Sequence, residues 1–102
     1  MSDHCILVGH AVIPTDLMTW ARWLEKAECR VARETVAGSE ISTVFLGLNH
    51  QWGQGPPLLF ETMVFGGPLD QEQERYSTWE EAETGHRAMV GRVRAAEGGE
   101  DE

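Results

Sequence analysis

The sequence predicts an α+β fold, a four-stranded antiparallel sheet in the order βαβββα with two helices packed on one face. Four segments are rich in β-branched and aromatic residues, and two others carry apolar residues at helical spacing. Both helices can bury their apolar stripes if they share one face of the sheet. The 102 residues suit one small domain over residues 1–96, and the acidic end, residues 97–102, is predicted to be disordered.

The first strand and the first helix lie in the first third of the chain. Residues 4–13 are rich in Ile, Leu and Val and precede Pro14, which predicts one strand. The segment PTDLMTWARWLEKAE has apolar residues at helical spacing and offers Thr15 or Asp16 as the N-cap, so it predicts a helix. RVARETV then predicts a second strand, closed by a turn at AGSE.

The third and fourth predicted strands, ISTVFLGL and LLFETMVF, are expected to pair as a hairpin. Each carries large apolar residues on both faces: Val44, Leu46 and Leu48 alternate with Ile41 and Phe45, and Leu58, Phe60 and Val64 alternate with Leu59, Met63 and Phe65. A strand with two apolar faces is typical of a sheet that is covered on both sides. We therefore expect a homo-oligomer, a dimer or higher, to cover the second face.

The last helix is the clearest element of the sequence. GGPLDQEQERY is interpreted as an acidic, turn-rich connection, and STWEEAETGHRAMVGRVRAA follows it. Thr78 with Glu81, or Ser77 with Glu80, forms a capping box. The apolar stripe of this helix contains Trp79, Ala82, Met89, Val90 and Val93, and His86 lies within it.

Charge and hydropathy disfavour several classes of partner. The net charge is -9, and the eight Lys and Arg residues form no basic stripe, so we expect no direct contact with nucleic acid. No apolar run approaches the ~18 residues that span a membrane. The first residues have no basic segment of a signal peptide, and we expect a cytoplasmic protein.

Two residues are candidates for acid–base chemistry, although neither is assigned as catalytic. Glu61 is the only charged residue within the fourth strand, so its carboxylate must be paired, protonated or near the rim of the sheet. His86 is either a hydrogen-bonded core residue or, if it meets Glu61 or His50, half of an acid–base pair. Tyr76 and Arg87 are possible further members of such a site.

The loop between the third and fourth strands, QWGQGPP with His50 before it, is a candidate contact site. Its glycines permit tight turns and its prolines stiffen the exit, so it can display Trp52 as an interaction anchor. Alternatively, Trp52 folds back over the sheet. No zinc-type histidine or cysteine spacing, phosphate-binding loop or nucleophile elbow is present, so we expect neither a metal site nor a cofactor.

Two segments, ISTVFLGLNHQWGQGPPLLFETMVFGG and RYSTWEEAETGH, resemble a family of small, uncharacterised proteins of bacteriophages and actinobacteria. The resemblance covers about half of the chain, roughly residues 41 to 90. It implies a phage or prophage setting, hence the host cytoplasm, and no particular activity. Members of the family often have Asp-His where this chain has Asn49-His50, which weakens an acid–base role for the loop.

These features favour a non-enzymatic accessory protein of phage type that self-associates and binds a host protein or a small ligand. The alternative is a small enzyme or pocket protein that uses Glu61 with His50 or His86. A third possibility is a minor component of the virion. An enzyme is the less favoured class, because no nucleophile or metal motif accompanies these residues.

Overall fold

The computed structural model describes residues 4–49 and 55–98, and it confirms the α+β class. A four-stranded antiparallel sheet has the order β3-β4-β5-β6, and a separate pair, β1-β2, forms a second sheet. The elements in chain order are β1 (His4–Val8), β2 (Ala11–Thr15), α1 (Leu17–Lys26), β3 (Arg30–Val36), β4 (Ser39–Phe45), β5 (Phe60–Phe65), β6 (Gln73–Tyr76) and α2 (Trp79–Gly98).

The first predicted strand is in fact a hairpin. β1 and β2 pair antiparallel from His4↔Thr15 to Val8↔Ala11, with Gly9 at a φ of 62° in the turn between them. Glycine is suited to this left-handed conformation because it has no Cβ. The apolar composition of residues 4–13 therefore indicated strand correctly, while the reversal at Gly9 divides the segment into two.

The fourth strand of the large sheet, β6, lies within the segment interpreted as a connection. The chain reverses at Gly66 and Gly67, with φ of 86° and 77°, and β6 then pairs with β5 from Met63↔Gln73 to Phe60↔Tyr76. β6 is an edge strand and its polar residues face solvent in part, which is why its composition resembles a loop.

Turn geometry and register place the buried side chains of the large sheet on one face. Ala37 and Gly38 have φ of 47° and 89°, the two positive values of the tight turn that joins β3 to β4. The register then aligns β4 with β5 at Ile41↔Val64, Thr43↔Thr62 and Phe45↔Phe60. All six of these residues are buried.

α2 covers this face with the predicted stripe. Ala82, His86, Met89, Val90 and Val93 are all buried. The start of the helix is capped as predicted, because the backbone N–H of Glu81 donates to Thr78 Oγ1 at 3.1 Å and the Glu81 carboxylate accepts from the N–H of Ser77 at 3.0 Å.

The β1–β2 hairpin and α1 attach at one end of the large sheet. Asp16 is the N-cap of α1, with Thr19 N–H donating to its carboxylate at 2.8 Å. The Trp23 ring packs edge-on against Phe45, and the N–H of Cys5 donates to the carbonyl oxygen of Gly47 at 2.8 Å. α1 thus reaches the same sheet face as α2, through Phe45.

Candidate functional site

A row of polar side chains crosses the buried face beneath α2. His86 is 2% exposed, and its Nδ1 is hydrogen-bonded to the Thr43 hydroxyl at 2.7 Å. The Thr43 and Thr62 hydroxyls are hydrogen-bonded to each other across β4 and β5. At the other end, His86 Nε2 lies 3.0 Å from Oε1 of Glu34 on β3. We call Glu34, His86, Thr43 and Thr62 the polar row.

The polar row separates the apolar core into two clusters. One contains Cys5, Phe45, Leu59, Phe60 and Ala82, and the other contains Ile41, Val64, Met89, Val90 and Val93. Burial of a polar group is costly unless it is hydrogen-bonded, and the contacts within the row meet that requirement. His86 is therefore a hydrogen-bonded core residue, which confirms the first of the two interpretations of this histidine.

The order hydroxyl, imidazole, carboxylate is that of a nucleophile with its base and orienting acid. The geometry does not suit that chemistry here. Thr43 and Thr62 are fully buried, so a substrate cannot reach either hydroxyl. Only Glu34, whose side chain is 47% exposed, opens to solvent. The row is therefore organised to hold α2 on the sheet rather than to present a nucleophile.

Glu61, the other acid–base candidate, lies on the opposite face of the sheet from His86. It is paired in register with Val44 and Arg75, and Arg75 Nε donates to its Oε2 at 3.1 Å. The carboxylate is thus neutralised by an ion pair with the edge strand. The structure does not bring Glu61 and His86 together, and the carboxylate that meets His86 is Glu34.

The remaining predicted site residues are dispersed. Arg87 lies on the exposed side of α2 and donates to Thr84 Oγ1 at 3.4 Å. His50 and Trp52 lie outside the described residues. Next to them, Asn49 accepts a hydrogen bond at 3.0 Å from the N–H of Leu58, which ties together the two ends of the loop.

Tyr76 forms one wall of a cavity of about 250 Å³ between β6 and α2, whose other lining residues are Glu74, Gly85, Ala88, Met89 and Arg92. Gly85 lets the Tyr76 ring lie directly on the helix, because a Cβ at this position would overlap the ring. The phenol oxygen is enclosed and has no hydrogen-bond partner within residues 4–49 and 55–98. Burial raises the pKa of the phenol, and Thr62 opposes part of that rise.

The face of the sheet away from α2 carries an apolar centre between two ion pairs. We call this the open face, defined by Val44, Met63 and Phe65 with the pairs Arg33–Glu40 and Glu61–Arg75. Phe65 is 49% exposed, and Val44 and Met63 are half-buried. α2 packs on the opposite face and α1 packs on the hairpin. An apolar centre with a polar rim is the usual anatomy of a protein contact surface.

Within residues 4–49 and 55–98, no three His, Cys, Asp or Glu side chains are placed to hold a metal ion. Neither described helix combines the length and the apolar character needed to cross a membrane.

Sequence reasoning missed three members of the polar row, Glu34, Thr43 and Thr62. The available signal was a hydroxyl in the middle of each buried strand face, Thr43 between Ile41 and Phe45, and Thr62 between Phe60 and Val64. Such a residue at matching positions of two paired strands marks a polar site within the core. Glu34 gave no comparable signal because it lies in an alternating, partly exposed strand.

Comparison with known proteins adds no assignment, because no protein-family model, curated protein or solved structure matches the chain.

Proposed function

We propose that this protein is a non-enzymatic binding protein that self-associates through the open face, with a second copy of the chain as the occupant. The observation that carries the proposal is the apolar centre of that face. Phe65 is half exposed beside the half-buried Met63, and the half-buried Val44 lies diagonally across from Met63, on the sheet face that α2 does not cover. A second copy provides an equally apolar surface and removes all three side chains from water.

The charge distribution favours a second copy at this face over other parts of the surface. The chain carries a net charge of -9, so two copies repel each other over most approaches. On the open face, the charges of Arg33 and Arg75 balance those of Glu40 and Glu61. The register also places the exposed Arg30 opposite Val44, so this face of an acidic molecule has no excess of negative charge, and the electrostatic cost of self-association is low there.

The dimensions of the face indicate a weak interface. Four strands spaced ~4.8 Å apart and up to seven residues long cover roughly 20 by 20 Å. This area lies below the ~800 Å² per partner of a standard stable interface. We therefore expect a dimer in exchange with the monomer, with a dissociation constant on the order of micromolar.

Self-association is compatible with the phage or prophage setting that the resemblance implies, and we propose the wider role within that setting. In that role the dimer is an accessory protein of phage type, and it binds a host protein or a small ligand. In the virion alternative the dimer is a minor component of the phage particle instead. Detection of the chain in purified particles by mass spectrometry would favour the virion component over the accessory protein.

The acid–base alternative has less support. Glu61 is held by Arg75 on one face of the sheet, while His86 is enclosed beneath α2 on the other. Proton transfer requires groups within hydrogen-bond reach or one water apart, and these two are separated by the sheet itself.

Sedimentation equilibrium of the full chain tests the proposal. We expect the average mass to rise with concentration from 11.4 kDa towards twice that value. A mass that stays at one chain up to about 1 mM, where even weak specific pairs associate, would overturn it.

A further inference from the structure

The cavity between β6 and α2 results from the residues that the two elements turn towards each other. Tyr76 pairs in register with Phe60, which is buried beneath α2, and Glu74 lies two residues before Tyr76 on the same strand. Both side chains of β6 therefore lie on the α2 side of the sheet. The stripe of α2 that faces them contains two small residues, Gly85 and Ala88. Their missing side-chain volume leaves a space of about 250 Å³ between the helix and the edge strand.

This cavity has an apolar interior and a charged mouth. Met89 is 1% exposed and forms its floor, and the Tyr76 ring and the Ala88 methyl group form its walls. The charged residues of the lining are Glu74 and Arg92, and both are exposed. A compact apolar group can therefore be buried in the cavity while a polar group attached to it stays at the mouth, which is the usual arrangement of a site for a small molecule.

The mouth of the cavity has an excess of negative charge. Arg92 Nη2 donates to Glu72 Oε1 at 3.3 Å, so a carboxylate already balances the charge of this guanidinium group. Glu74 has no such partner, because no Lys, Arg or His side chain forms an ion pair with it in the part of the chain that the structure describes. The whole chain is also acidic, with a net charge of -9, and it attracts cations more than anions.

We propose that this cavity binds a small organic cation, in which one ammonium group is attached to a compact apolar body. The apolar body contacts Met89 and the Tyr76 ring, and the ammonium group pairs with the Glu74 carboxylate at the mouth. An aromatic wall favours a cation as well as an apolar group. A cavity of about 150 Å³ holds benzene, so a space of about 250 Å³ has room for one ring and a short amine.

The cavity and the open face lie on opposite sides of the sheet. The site names the ligand class for the small-ligand part of the proposed function, and in that sense it rests on it, but it does not require self-association. A monomeric chain can bind the cation, and a dimer can fail to bind it. Sedimentation therefore tests the dimer, and titration with a cation tests the cavity.

Three probes of similar size and different charge test the proposal: benzylamine, which is a cation at neutral pH, neutral benzyl alcohol and anionic benzoate. Each is titrated into the full chain, and NMR follows the ring of Tyr76, the only tyrosine, and the methyl group of Met89. We expect saturable shifts of both residues with benzylamine, and a dissociation constant on the order of millimolar for so small a ligand. Benzyl alcohol should bind about 5-fold more weakly, as expected for one exposed ion pair, and benzoate more weakly still.

Two pairs of matched variants locate the site. Glu74→Gln should weaken benzylamine binding by about 5-fold, whereas Glu80→Gln, which changes the net charge equally at an exposed position outside the cavity, should not. Ala88→Leu fills the cavity and should weaken binding by about 10-fold or more, whereas Ala95→Leu on the same helix should not. Both alanines are exposed and leucine is a good helix former, so these two variants should fold.

Several results would overturn the proposal. One is the lack of a saturable shift at Tyr76 and Met89 with benzylamine up to about 10 mM, well above the expected dissociation constant. A second is a shift at Met63 on the open face in place of the cavity residues. Others are benzoate that binds as tightly as benzylamine, or equal binding of benzylamine by the two members of either variant pair.

Discussion

Two glycines on α2 allow a matched test of how the helix meets the sheet. At Gly85 an added Cβ would lie inside 3.0 Å of the Tyr76 ring and hydroxyl, whereas at Gly91 it would meet nothing within 4 Å. Gly85→Ala and Gly91→Ala therefore make the same chemical change on the same helix. They differ only in whether there is room for the new methyl group.

The magnitudes follow from two opposing effects. Alanine in place of a helical glycine gains about 1 kcal/mol through helix propensity. We expect Gly91→Ala to stabilise the protein by about this amount. In Gly85→Ala, displacement of the half-buried Tyr76 ring costs about 1–3 kcal/mol, the usual cost of overpacking, which cancels or exceeds the gain.

Urea unfolding of both variants, followed by circular dichroism, measures the difference directly. The free energy of unfolding of Gly85→Ala should fall about 1–3 kcal/mol below that of Gly91→Ala, which isolates the overlap with Tyr76. Equal stability of the two variants would refute the close approach of Tyr76 to α2.

Three further predictions concern the open face and two titrating groups. Phe65 leaves ~100 Å² of its side chain exposed, and burial of this area in two copies is worth about 5 kcal/mol at ~25 cal/mol/Å². Phe65→Ala should therefore raise the dissociation constant of the dimer, measured by sedimentation, by ~100-fold or more. Val8→Ala, which changes an exposed residue of the β1–β2 hairpin, should leave that constant unchanged. Burial raises the pKa of Tyr76. The stability that the neutral phenol contributes is therefore complete below its ordinary pKa of about 10 and is lost as pH rises through the higher folded value. Tyr76→Phe should remove this part of the alkaline decline in the free energy of unfolding. The hydrogen bond from the Thr19 N–H lowers the pKa of Asp16. The Asp16 carboxylate therefore stabilises α1 above its ordinary pKa of about 4, and this stabilisation is lost as pH falls through the lower folded value. If the free energy of unfolding of Asp16→Asn falls as steeply in acid as that of the parent, Asp16 does not have this role.

Periodicity predicted the elements with strong apolar patterns. The stripe of α2 and the buried face of β4 and β5 follow from apolar residues at helical or alternating spacing, because these residues are the ones that pack. The capping residue Thr78 and the turn at Ala37–Gly38 were likewise visible, since both rest on local backbone chemistry.

The elements that sequence reasoning missed depend on long-range pairing. β6 has the polar composition of a loop and becomes a strand because the reversal at Gly66 lays it along β5. The polar row likewise depends on residues that are distant in sequence. Glu34 and His86 are 52 positions apart, and only the packing of α2 across β3 brings them together.

The most direct test of the central claim, self-association through the open face, is a dilution series of the full chain followed by side-chain methyl NMR. The claim predicts shifts on dilution at Met63, next to Phe65, and at Val44, diagonally across from Met63, with buried Val93 on the α2 face unchanged. Signals at Val44 and Met63 that do not change with concentration, or changes confined to other surfaces, would contradict it.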